Sequence, residues 1–204
     1  MPGARTRSAP KGGRGAIARE PFGTAGVVFL LVGAAVALFL GVYGRLHQPA
    51  STAATTVFGL DLSFTSNQGM LQFKSWLTTL AVGFAIAQLV TGLRLYDRVS
   101  WPRTIPLWLG DFHRLSGTLA LLCSLPVAYH CLWSLGFRTS DPRGLIHSFL
   151  GCFFYGAFVT KVLAVRRGEN PSWFIPVLGG TVLVVLTGIW LSSALLYFTG
   201  SIGR

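Results

Sequence analysis

The chain has 204 residues, half of them hydrophobic and only 11% charged, with a mean hydropathy of +0.58. A soluble domain carries about a quarter charged residues, so the composition excludes an ordinary soluble fold and predicts an integral membrane protein. The formal net charge of +11 gives no reason to expect nucleic acid as a partner, because the basic residues flank apolar runs.

In chain order, residues 1–20 carry Arg5, Arg7, Lys11, Arg14 and Arg19 without any apolar period. They read as a disordered basic tail attracted to anionic lipid. Residues 21–204 read as one membrane domain with five apolar runs: Phe22–Gly44, Leu71–Tyr96, Phe112–Gly136, Gly144–Val165 and Phe174–Phe198. Each is close to the ~20 residues a spanning helix needs. The alternation of a β-barrel is absent, so the fold class is all-α, a five-helix polytopic bundle. The first run is too long for a signal peptide and lacks a clear cleavage site, so it is read as a retained helix.

Between the first two runs, Arg45–Met70 is the longest external segment, and "TTVFGLDLSF" within it has strand or amphipathic character. It would cap the bundle or meet a partner. After the second run, "RVSWPRTIPLWLG" places Trp101 and Trp108 where interfacial aromatics sit. The turn "GFRTSDPRG" is short enough to force the third and fourth helices to be antiparallel neighbours.

Twelve basic residues fall on the side of the N-terminus and five on the other. The positive-inside rule then puts the N-terminus in the cytoplasm and the C-terminus outside. The Arg-, Gly- and Ala-rich usage fits a bacterial inner membrane.

Cys123, Cys131 and Cys152 lie inside predicted helices and read as small packing residues. Cys131 and Cys152 could also approach each other as a disulfide near the outer face. There is no CxxC pair, c-type haem attachment motif or Gly-rich nucleotide motif.

Three of the four histidines lie between Asp111 and Gly156, and intramembrane ionisable residues are functional candidates by default. The fourth, His47, follows the first helix and reads as solvated or interfacial. His130 precedes Phe137 by seven residues and His147 follows Gly144 by three. At 1.5 Å per residue they lie about 10 Å and 5 Å below the turn, on adjoining helices. That is the arrangement of a bis-imidazole haem site in a bundle formed by the second to fifth helices. Gly151, four residues after His147, leaves room on the same face for a flat macrocycle, and Tyr155 continues the stripe. Pro126 can kink the third helix to open space. Arg138 and Arg143 in the turn can pair with haem propionates.

The competing readings are that His130 and His147 bond to each other or to carbonyls and pin two helices, or that they handle protons or quinone. His113 lies 17 positions before His130, about 25 Å along the axis and about 100° off its face. It could ligate an alternative haem, contact a quinone head group, or cap the inner end beside Asp111.

At "HRLSGTLALL…VAYHCLW" the chain resembles the histidine helix of cytochrome b561 and ferric-reductase-like membrane haem proteins, through His113, Arg114, Gly117 and His130. The resemblance covers about fifty residues, Asp111 to Lys161. It implies haem b, with His113 as a further ligand, and electron transfer at the membrane. The interval between the two histidines is longer than that family's usual one, and no nucleotide-binding domain follows.

The resulting expectation is one haem b near the outer face, an oxidoreductase or electron-transfer subunit, and a quinol or extracytoplasmic redox protein as partner. The alternative is a haem-free accessory subunit of a larger respiratory or transport complex, for which the 25 glycines would supply close helix contacts.

Overall fold

The computed structural model describes residues 23–47, 56–57, 60–61, 69–100, 104–168 and 170–201. The expected basic tail (1–20), Trp101 and most of the 45–70 segment lie outside the described residues. Within that segment, β1 (Thr56–Val57) pairs antiparallel with β2 (Leu60–Asp61).

Six α-helices are described: α1 (Thr24–Leu46), α2 (Gly69–Leu95), α3 (Leu109–Tyr129), α4 (Pro142–Arg167), α5 (Phe174–Leu191) and α6 (Ala194–Phe198). A π-helical turn (His130–Leu135) continues α3, and α6 continues α5. This gives five helical segments long and apolar enough to cross a membrane, the architecture of a multi-pass membrane protein.

Local chemistry sets the breaks. Pro126 cannot donate to the α-ladder. Four residues on, the His130 N–H reaches the carbonyls of both Pro126 and Val127, and the wider π turn begins there. Gly136, at φ 67°, ends it in a backbone conformation that suits glycine. Asp141 then caps α4: its Oδ1 accepts from the Gly144 N–H at 2.7 Å, and Pro142 takes the first helical position. Gly168, at φ 77°, closes α4 in the left-handed conformation. At the α5–α6 junction the Ser192 and Ser193 hydroxyls both turn back to the Ile189 carbonyl, at 3.0 and 2.7 Å.

The helices pack as an arc, with α3 against α2, α2 against α5, α5 against α4, and α4 against α1. Small residues allow the closest crossings. A Cβ on Gly33 of α1 would collide with the Gly156 carbonyl and the Thr160 hydroxyl of α4. Ala81, Ala85 and Ala157 let Phe154, Val182, Val185, Leu186 and Ile189 fill the centre. Trp190 ties α5 to α2 by donating to Thr79 Oγ1 at 2.8 Å.

One expectation needs correction. The short turn makes α3 and α4 successive antiparallel helices, yet their backbones do not pack closely. The buried face of α3, which includes Ser116, Ala120 and Ser124, is small-sided and suits close packing on α2. The bulkier Phe154, Tyr155 and Phe158 project from α4. Side chains bridge the gap, with the Tyr155 hydroxyl donating to Ser124 Oγ at 3.0 Å.

Candidate functional site

Polar groups gather at both ends of the helices. The turn end carries the α3–α4 connection. The basic end carries the α2–α3 and α4–α5 connections.

At the turn end, His130 is the largest fully buried side chain among the described residues, with 1% of its surface exposed. Its Nδ1 lies 3.3 Å from Lys74 Nζ, in the second turn of α2. His147, half-buried on α4, bonds through Nδ1 to Ser192 Oγ at 2.9 Å. The Ser192 hydroxyl already spends its single proton on the Ile189 carbonyl at 3.0 Å. It therefore accepts from His147, which assigns the proton to Nδ1 and leaves Nε2 with its lone pair. Lys74 is also within electrostatic range of His147, so the two predicted ligands flank one lysine.

The other predicted site residues can be placed as well. A Cβ on Gly151 would meet nothing within 4 Å, so the face beyond His147 is open. Arg138 pairs with Asp141 at 3.2 Å, and its backbone N–H donates to Ser148 Oγ at 3.1 Å. Arg143 reaches the Ser192 carbonyl at 3.4 Å. The Gly144 N–H, with Arg138 and Arg143 nearby, holds the Asp141 carboxyl below its usual range. The three cysteines are free thiols, and Cys152 faces Gly41 of α1. His47 departs from the expected solvated residue. Its ring stacks on Tyr43 at 5.2 Å and lies 4.5 Å from Trp133, and its Nε2 is buried without a partner among the described residues.

At the basic end, His113 bonds through Nδ1 to Thr91 Oγ1 at 2.7 Å. Thr91 donates in turn to the Ala87 carbonyl at 2.7 Å. The same logic assigns the proton to Nδ1 of His113 and leaves Nε2 as an acceptor. Gln88 is the hub beside it. Its amide donates to the His113 carbonyl and, at 3.2 Å, to Ser116 Oγ. Its carbonyl accepts from Lys161 Nζ at 3.3 Å. These groups border a cleft of about 190 Å³ between α2, α3, α4 and α5. His113 is thus not brought to His130 and His147.

The comparisons add the family. Residues 26–203 match the family model described as "Family of unknown function (DUF6529)". The chain belongs to the DUF6529 family. No curated protein and no solved structure matches this DUF6529 chain.

Sequence reasoning missed Lys74, Gln88, Lys161, Thr91 and Ser192. By position in the chain, Lys74 and Lys161 read as flanking charges. Lys161 stands six residues inside the end of α4 and Gln88 seven residues inside the end of α2. Depth within an apolar run is the signal that could have found them.

Proposed function

We propose that this protein is a membrane-embedded, b-type haem protein that exchanges single electrons, with His130 and His147 as the residues that would hold the iron. The reading rests above all on His147. With the Ser192 hydroxyl turned to the Ile189 carbonyl, Nδ1 of His147 carries the proton and Nε2 keeps its lone pair, the state a metal-bound imidazole requires. The fit is supported by the buried His130 at the same end, by the separated backbones of α3 and α4, and by the open face at Gly151. A bound haem b supplies one-electron exchange at iron.

The chain's own residues do the rest. His47, Tyr43 and Trp133 form an aromatic cluster between α1 and the π turn that begins at His130. Arg138 and Arg143 lie at the mouth as partners for carboxylates or for an acidic redox protein. With the N-terminus cytoplasmic, as the charge distribution favours, that mouth faces the outside of a bacterial cell membrane.

Lys74 qualifies the fit. An ammonium donating to Nδ1 of His130 leaves the proton on Nε2, so ligation requires Lys74 to swing away or to accept instead. The same bond favours the second reading, a haem-free accessory subunit in which His130 pins α3 to α2. The test is a dithionite-reduced minus oxidised spectrum of the purified protein. A low-spin b-type signal is expected, lost in both His130→Ala and His147→Ala and kept in His113→Ala. A protein that inserts normally but shows no such signal when supplied with haem would support the accessory-subunit reading.

A further inference from the structure

We infer that the cleft at the basic end is the head-group site for a quinol. This goes beyond the electron-transfer reading: it names a small-molecule ligand at the opposite end of the helices, and it rests on separate residues.

The cleft walls are mainly apolar, and Phe154 and Phe158 offer aromatic contact. Four glycines, Gly92, Gly117, Gly179 and Gly180, line it, and a Cβ on Gly179 or Gly180 would meet nothing within 4 Å. The free space of about 190 Å³ corresponds to about six liquid waters, the size of one substituted ring. The cleft is open on one side, which leaves an exit for an apolar tail.

The polar groups select the ring. Lys161 Nζ offers a positive donor whose protein partner is the neutral Gln88 carbonyl. No carboxylate lies within ion-pair distance of it among the described residues. An ammonium in an apolar setting without a counter-charge favours a polarised oxygen. His113 offers the opposite function. Its Nδ1–H is taken by Thr91, its ring lines the cleft, and its Nε2 has no protein partner among the described residues. One donor and one acceptor beside an aromatic-lined space match a quinol, with one hydroxyl donating to His113 Nε2 and the other hydroxyl oxygen accepting from Lys161, whereas the two carbonyls of the oxidised quinone would leave His113 unmatched. A fatty-acid or phospholipid anion would use Lys161 but would set its oxygens against the Nε2 lone pair.

The experiment uses the full chain in phosphatidylcholine nanodiscs, with decylubiquinol or a decyl-substituted naphthoquinol, kept reduced under anaerobic conditions, titrated by calorimetry. Saturable binding at one site per chain is expected. His113→Phe and Lys161→Gln should each weaken it tenfold or more, since each removes one charge-assisted or buried hydrogen bond. Gly180→Leu, which fills the cleft without touching a hydrogen bond, should abolish it. Val184→Leu on the lipid-facing side should leave it unchanged. Absence of saturable binding in the wild type overturns the site. So does wild-type affinity in Gly180→Leu, or oleate binding that depends on Lys161 but not on His113, which marks an anionic-lipid site. The absorption spectrum of the same samples separates the two proposals. Quinol binding without a haem signal sinks only the haem reading, and a haem signal without quinol binding sinks only this one.

Discussion

Replacing Lys74 by methionine probes the turn end most directly, because methionine keeps the unbranched apolar stem and removes only the amine. The hydrogen bond that disappears is 3.3 Å long and ends on a ring with 1% exposure. In water-soluble proteins a hydrogen bond to a charged group contributes about 1.5–3 kcal/mol. Inside a bilayer the coupling averages about 0.6 kcal/mol and rarely exceeds about 1.7, since the unfolded helices also find partners. His130 is fully buried and the donor is charged, so the upper part of the membrane range applies, about 1 kcal/mol or a fivefold change in the unfolding equilibrium. The assay is a double-mutant cycle of Lys74→Met and His130→Phe in haem-free protein, unfolded by detergent titration. A coupling near 1 kcal/mol is expected, and strictly additive effects would show that the bond does not form in the membrane. With haem supplied, Lys74→Met should retain or increase the low-spin signal because Nδ1 is released. Loss of haem in Lys74→Met alone would make the lysine, rather than His130, the group that the cofactor needs.

At the α1–α4 crossing, Gly33→Leu should destabilise the protein by about 1–3 kcal/mol, read as a lower detergent midpoint, because its side chain would meet Gly156 and Thr160. Asp141, whose carboxyl is held below its usual range, should cap α4 fully above the ordinary carboxylate range. The sign follows from the depressed value: stability is present above the unfolded pKa and is lost as pH falls through the folded one. Hydrogen-exchange protection of the Gly144 amide should therefore stay constant from neutral pH to about pH 5 and drop in stronger acid, while Asp141→Ala should show the low protection throughout. Reporter fusions at residue 10 and after Arg204 should fall on opposite sides, the first cytoplasmic, and both on one side would remove one crossing.

The five spans were legible because run length and hydropathy are properties of the chain itself, and all five expected runs overlap helices found in the structure. The site was legible only in part. His130 and His147 could be set at one level by counting residues from a short turn. Their hydrogen-bond partners could not, because Lys74 and Ser192 stand 56 and 45 residues away. Helix neighbours were also hidden. A short turn fixes which ends meet, but the side chains along the faces decide how closely the backbones pack, and the small residues of α3 suit α2. His47 reads as solvated when it is only the residue after a helix; the ring of Trp133, on another element, is what covers it.

The three intramembrane histidines differ in what their second nitrogen can do, and the partner decides it. Ser192 and Thr91 each donate their one proton to a carbonyl in the preceding turn, so each presents an acceptor to its histidine. His147 and His113 are thereby set with Nε2 lone pairs. At His130 the partner is an amine, and the imidazole becomes a ligand only when that amine moves or changes role. A hydroxyl turned to a carbonyl presents an acceptor to its imidazole, whereas at His130 the outcome depends on where Lys74 points. Lysine reaches by a flexible four-carbon stem, so the element that moves need not be a helix. If the proposed haem is bound, its occupancy of the turn-end site would be coupled to where Lys74 points.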